Sequence, residues 1–131
     1  MIDVTVGISA YNSAEFIEQA VESVLVQEGC NFEVIVIDDG SKDNTADLVN
    51  TIAERDNRVR LYQKSNAGLG ESRNDVIDQA NGRFIHFMDG DDYMGPNFLD
   101  AMLSRADALN ADVIISSYYE VSDNDLVKAE R

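Results

Sequence analysis

A chain of 131 residues with 44% apolar content is long enough to bury the core of one ordinary domain, or of part of a larger one. Its 25 acidic residues against 10 basic ones leave a net charge of −15, which excludes non-specific binding to nucleic acid or an anionic membrane surface and obliges any anionic ligand to find local help. The single cysteine, Cys30, excludes a disulfide framework or a cysteine-built zinc site, and MIDVTVG lacks the basic and long apolar regions of a signal peptide, so the default compartment is the cytoplasm.

VTVGIS, residues 4–9, is rich in β-branched residues and stops at AYNS, which predicts a strand and a turn. Ile17, Ala20, Val21, Val24 and Leu25 then fall on one helical face, and Asn12 with Glu15 three positions on has the spacing of a capping box. EVIVID, residues 33–38, is the near-continuous apolar run of a strand covered on both faces, and it ends in Asp38, Asp39, Gly40 and Ser41. A second helix is marked by Thr45, Leu48, Val49, Ile52 and Ala53, and VRLYQ, residues 59–63, is a weaker third strand leading into the loop KSNAGLG. A helix over about residues 71–81 is expected to bury Val76, Ile77 and Ala80 and to be capped by Gly82. RFIHFM is the fourth strand and DGDDYMG its loop, with Pro96 suited to a first helical turn and Leu99, Met102, Leu103 and Ala106 continuing that helix. DVIISSYYEV, residues 112–121, reads as a fifth strand, after which SDNDLVKAER turns polar without a further clear element.

Alternating strands and helices predict an α/β, doubly wound, mainly parallel sheet with helices on both faces. Ligands of such sheets bind outside the carboxyl ends of the strands, where strand order reverses. If the first and fourth strands are neighbours and the second lies beside the first, the loops AYN, DDGS and DGDD line one crevice. Asp89 and Asp91 can then aim oxygen ligands at a hard cation such as magnesium or manganese, or they form a solvated acidic turn. Tyr11 can stack on a flat base or cover the sheet edge, and Arg73 can meet a phosphate or stay solvated. His86 lies inside the fourth strand and reads as a sheet-face histidine. Tyr118 and Tyr119 read as strand residues, and Cys30, with no basic neighbour, as a small packing residue.

Four blocks, VGISAYN, FEVIVIDDGSKDNT, SNAGLGESRN and FIHFMDGDDYMGPNFL, in this order and at this spacing, make the whole chain resemble the N-terminal, donor-binding half of a glycosyltransferase family 2 domain, the inverting nucleotide-sugar enzymes with a GT-A fold. The resemblance implies that Ala10 and Tyr11 pack on the nucleotide base, that Asp39 bonds the base ring, and that Arg73 lies by the donor phosphates. It further implies that Asp89, Gly90 and Asp91 form the Asp-x-Asp, touching the donor ribose and a divalent metal, Mn2+ or Mg2+, bound to the diphosphate. SAYN stands where many members carry a proline-containing PxYN, and Asp75 and Val76 stand where small residues commonly follow the Arg-Asn pair.

By the same resemblance the donor is a nucleotide-diphospho-sugar, most commonly a UDP-sugar, and the acceptor a saccharide or a lipid-linked hydroxyl compound. No catalytic residue is assigned, because the acceptor-binding half and the carboxylate that deprotonates the acceptor are expected beyond Arg131. A longer parent protein is expected to be cytoplasmic and able to sit peripherally on the inner face of the membrane, and a bare sheet edge would allow homo-oligomers. Two alternatives stay open: a noncatalytic nucleotide-sugar-binding module, and a receiver-type signalling domain. The latter needs an acidic pair, a phosphoacceptor Asp and a Lys after its first, third and fifth strands, where this chain has AYN, QKSN and EVSD. A dinucleotide dehydrogenase is disfavoured because no G-x-G-x-x-G opens the first helix.

Overall fold

The computed structural model describes residues 1–121 together with the strand backbone of 122 and 125–130. The chain divides into two units, Met1–Ala101 and Met102–Arg131. In the first, β1 (Val4–Ala10), β2 (Phe32–Asp38), β3 (Val59–Gln63) and β4 (Phe84–Asp89) form one sheet of order β3-β2-β1-β4 with every pair parallel. Between them lie α1 (Ile17–Leu25), α2 (Thr45–Arg55) and α3 (Leu69–Gln79), and α4 (Phe98–Leu109) follows β4. The order reverses between β2 and β4 around β1, as required for the three loops to share a crevice.

Handedness assigns the helices to faces. The steps β1 to β2 and β2 to β3 run one way along the sheet, whereas β3 to β4 runs back past two strands, so right-handed crossovers put α1 and α2 on one face and α3 on the other. Side chains alternate accordingly. Val34 and Val36 share a face with Val6 and Ile8, while Ile35 and Ile37 cluster with Val76 of α3, flanked by Tyr62 and Phe87. All seven residues of β2 are buried, in keeping with its apolar run. His86 lies on the Val6 face with its ring 5.1 Å from that of Phe98, and burial pushes its imidazole pKa down, as befits a packing residue.

The expected α3 face is corrected. The helix runs Leu69–Gln79 and buries Ser72 and Val76, but Ile77 is 52% exposed. Gly82 is no helix cap, because Ala80 already leaves α3 in an extended conformation; a β-carbon at position 82 would stand 2.5 Å from the Thr5 nitrogen, so close approach of two backbones requires glycine there. Beside it the buried Glu33 carboxylate accepts from the Thr5 hydroxyl (2.8 Å), the Asn81 N–H (2.8 Å) and the Arg60 guanidinium (3.0 Å), closing the turn from α3 into β4. Burial opposes ionisation of Glu33, yet the Asn81 and Thr5 hydrogen bonds and the Arg60 charge outweigh it and hold the carboxyl below its ordinary range.

The second unit holds most of α4 and an antiparallel hairpin of β5 (Tyr119–Ser122) and β6 (Asp125–Glu130). This corrects the expected strand over 112–121: residues 113–118 carry no regular structure, Val113 and Ile115 are exposed, and only the end of that run pairs, with the polar tail that had no expected element. Pro96 lies in the turn before α4 rather than in its first turn. Among the described residues no helix is long and apolar enough to cross a membrane.

Candidate functional site

The strand ends set the level of the site. Ala10 is in register with Asp38, and Ser9 with Asp89, so the loops after β1, β2 and β4 leave the sheet side by side. The ladder runs on briefly: the Asp39 N–H donates to the Ala10 carbonyl (2.8 Å) and the Gly90 N–H to that of Ser9 (3.0 Å). A cavity of about 290 Å3 opens there, lined by Ser9, Tyr11, Asn12, Ser13, Phe16, Asp89, Gly90 and Asp91. Gly90 is buried beneath it. A β-carbon at position 90 would stand 2.9 Å from Ser13 Oγ and 3.4 Å from the β-carbon of Ala10, so the missing side chain lets the acidic loop lie this close to the loop after β1 without displacing Ser13.

The loops after β1 and β2 are tied together by side chains. The Asn12 N–H donates to Ser41 Oγ (2.8 Å) while the Lys42 N–H donates to Asn12 Oδ1 (2.8 Å). The Ser13 N–H donates to Thr45 Oγ1 (2.9 Å), and Asp43 accepts from both the Thr45 hydroxyl and the Ala14 N–H. These contacts replace the expected capping box. Asn12 adopts φ 49°, its side chain serves the 41–42 turn, and α1 begins only at Ile17, preceded by Phe16 without a side-chain cap. The sequence places Ser41 in a crevice loop but does not show its bond to Asn12, and it does not mark Asp43 or Thr45 as part of the site, because a pattern read along the chain cannot see a partner thirty residues away.

Asp39 is buried, and both carboxylate oxygens accept backbone N–H groups of the loop after β3, Ala67 on Oδ1 (2.8 Å) and Gly68 on Oδ2 (3.0 Å). Each oxygen keeps a further lone pair. Gly40, at φ 80°, lets the same loop approach, since a β-carbon there would meet the Asn66 nitrogen at 2.9 Å. Lys64 and Asp75 pair at 2.6 Å, joining the start of this loop to α3, so the Asp after the Arg-Asn pair acts as an anchor. That bond, with the charges of Glu71 and Asp39, raises the pKa of Lys64. Arg73 extends over the Phe87 ring, 5.5 Å from its centroid, two residues before Asp89. Neither Asp39 nor Arg73 lines the cavity, whereas Tyr11, Asp89, Gly90 and Asp91 do. Ala10 is buried against Gly90.

Asp89, Asp91 and Asp92 are exposed, and one oxygen from each lies within 4.8 Å of the others. Partial burial, and then the charges of Asp89 and Asp91, push the carboxyl of Asp92 up. Three hard oxygen donors at this spacing, with mutual repulsion that a positive charge would relieve, fit a divalent cation of the magnesium or manganese kind. Asp92 thus lies with the Asp-x-Asp pair, as the crowding of three acids within FIHFMDGDDYM, residues 84–94, leads one to expect.

Comparison with known proteins follows the same lines. The Glycosyl transferase family 2 model matches residues 5–131. The succinoglycan biosynthesis protein ExoO of Rhizobium meliloti is 46% identical over 92% of this chain and 34% of its own length, and the glycosyltransferase GlyG of Streptococcus pneumoniae 32% identical over 93% and 41%. Among solved structures, S. aureus TarS 1-349 in complex with UDP-GlcNAc superposes with a TM-score of 0.76 at 31% identity, covering 82% of this chain and 32% of that one. The mannosyltransferase PcManGT from Pyrobaculum calidifontis, in complex with GDP-Man and Mn2+, gives a TM-score of 0.71 at 25% identity, covering 87% and 34%. The chain thus spans well under half the length of these relatives. With the family model matching residues 5–131, nearly the whole length, the chain belongs to glycosyltransferase family 2.

Proposed function

We propose that the chain is the donor-binding part of a glycosyltransferase that moves a sugar from a nucleotide-diphospho-sugar to an acceptor hydroxyl, with a divalent cation and with inversion at the anomeric carbon. The observation that carries this is the cavity between Tyr11 and the Asp89, Gly90, Asp91 turn at the carboxyl ends of β1 and β4. Tyr11, 47% exposed at that cavity, offers its ring to a base, with Gly90, backed by the buried Ala10, forming a floor without side-chain bulk. Asp39 uses its remaining lone pairs on the base ring while its loop bonds keep the carboxylate from rotating. Arg73, steadied over Phe87, supplies positive charge to the donor phosphates in a strongly acidic chain.

Asp89 and Asp91, with Asp92 beside them, would hold the cation, Mn2+ or Mg2+. When bound, the cation supplies charge to offset that of the leaving diphosphate. In-line displacement also needs a base on the acceptor hydroxyl. Since the carboxylates of the crevice serve cation and donor, we assign that base and the acceptor platform to sequence of the kind the longer relatives carry in addition. Relatives bound to UDP-GlcNAc and to GDP-Man with Mn2+ support the donor class and leave the base to experiment.

Calorimetry with UDP and with GDP, each with Mn2+ and with excess chelator, tests the proposal. Binding of one of them, strengthened by Mn2+, is expected. Absence of binding to either would sink the donor assignment, and equal affinity with and without Mn2+ would remove the cation from it.

A further inference from the structure

Gln27 lies just past the end of α1, only 5% exposed, in a position where an apolar side chain would cost nothing to bury. Its amide is satisfied at both ends by distant backbone. Nε2 donates to the carbonyls of Ser23 (3.2 Å) and Gly95 (2.7 Å), and Oε1 accepts the N–H of Leu99 (3.1 Å). One turn back, Ser23 Oγ donates to the Ala20 carbonyl (2.7 Å) and accepts the Met94 N–H (2.9 Å). Leu99 is the second residue of α4, where N–H groups have no partner within the helix. Asn97 just before it stands at φ 58°, a left-handed conformation unlike the extended one of a residue that caps with its own side chain. Gln27 therefore caps α4 from another element.

Between β4 and α4 the chain carries Asp91 and Asp92. Its near end is fixed by the Gly90 N–H on the Ser9 carbonyl (3.0 Å), and its middle by the Asp92 N–H on that of Asp89 (3.1 Å). Its far end is fixed at Met94, Gly95 and Leu99, all by Ser23 and Gln27. Three neighbouring carboxylates repel one another, so a loop free at one end would spread them beyond the reach of a single ion. We propose that Gln27 and Ser23 are positioning residues that hold Asp89, Asp91 and Asp92 at the spacing a divalent cation requires. This deepens the function proposed above and rests on it.

The test uses the full 131-residue chain with Gln27→Leu and Ser23→Ala, each checked for folding by circular dichroism. UDP and GDP are titrated with Mn2+ and with excess chelator. Gln27→Leu acts on the loop carrying the acids rather than on the acids themselves. It is expected to weaken affinity in Mn2+ by about threefold or more, short of the roughly tenfold or greater cost of losing a group bonded directly to a metal ligand, and affinity in chelator by less than about twofold. Ser23→Ala, which loses one loop bond, is expected to shift the same way by a smaller factor. A folded Gln27→Leu, or a folded Ser23→Ala should the former not fold, with wild-type affinity in Mn2+ overturns the assignment and leaves the proposed function standing. Equal losses with and without Mn2+ also overturn it, since they mark general damage to the crevice. A wild-type chain indifferent to Mn2+ overturns the cation site and this assignment together.

Discussion

Gly7 of β1 lies directly beneath Val76 of α3: a β-carbon at position 7 would stand 2.5 Å from Val76 Cγ1. The bulk of Val76 is accommodated by the missing side chain below it. Gly7→Ala should therefore destabilise the chain by about 1–3 kcal/mol through overpacking. Adding Val76→Ala should recover part of that loss in denaturant unfolding, although Val76→Ala alone is destabilising. Simple additivity of the two changes would show that they do not share the space.

Donor affinity should divide between loops. Asp91→Asn is expected to weaken UDP or GDP binding in Mn2+ and to leave the chelator value nearly unchanged. Asp39→Ala is expected to weaken nucleoside binding even without metal and to speed amide exchange at Ala67 and Gly68, which lose their acceptor. Arg73→Leu should lower affinity for the diphosphate while sparing the bare nucleoside. Identical profiles for the three variants would show that the division is wrong.

Stability should fall in acid partly through Glu33. Its pKa is lower folded than unfolded, so in the acid range the unfolded chain binds the extra proton and stability rises with pH. The contribution is present above the ordinary glutamate value of about 4.3 and is lost as pH falls through the lower folded value. Glu33→Gln should flatten that acid limb in pH-dependent melting. At neutral pH it should cost about 1–3 kcal/mol, because an NH2 group would face donors from Arg60 or Asn81. An unchanged acid limb would assign the effect to other carboxylates.

Ser72 is 1% exposed, and its hydroxyl has no hydrogen-bond partner among the described residues. A buried hydroxyl without a partner opposes folding, so Ser72→Ala should leave thermal stability unchanged or raise it by up to about 1 kcal/mol. A clear drop in melting temperature would show that the hydroxyl is satisfied in solution.

The sheet was legible because its strands are short apolar runs ending in loops of Asp, Gly, Asn and Ser, and because alternation with helices leaves few topologies. EVIVID and VRLYQ fell within a residue of β2 and β3 for that reason. Residues 112–121 misled because a short apolar run does not reveal whether it pairs; here Val113 and Ile115 stay exposed and only Tyr119–Ser122 pairs. In the site, the acids at strand ends could be read along the chain. Asp43, Thr45 and Gln27 could not, nor could the bonds made by Asn12 and Ser41 within the crevice loops, since each acts on a backbone group far away in sequence, and their residue types also suit ordinary turns and helix ends.

The register of β1 has a consequence for the order of assembly. On one side Val4 meets Phe32 across a short crossover, but on the other it meets Phe84, at the end of a connection that passes through β2, α2, β3 and α3. Closing the longer loop costs more entropy, so β4 should dock last. The tied loops after β1 and β2 would then form first, and the acidic trio would join a crevice already half built. Pulse-labelled hydrogen exchange during refolding should show protection at Val34–Ile37 before Phe87 and Met88; simultaneous protection would mean that the four strands condense together.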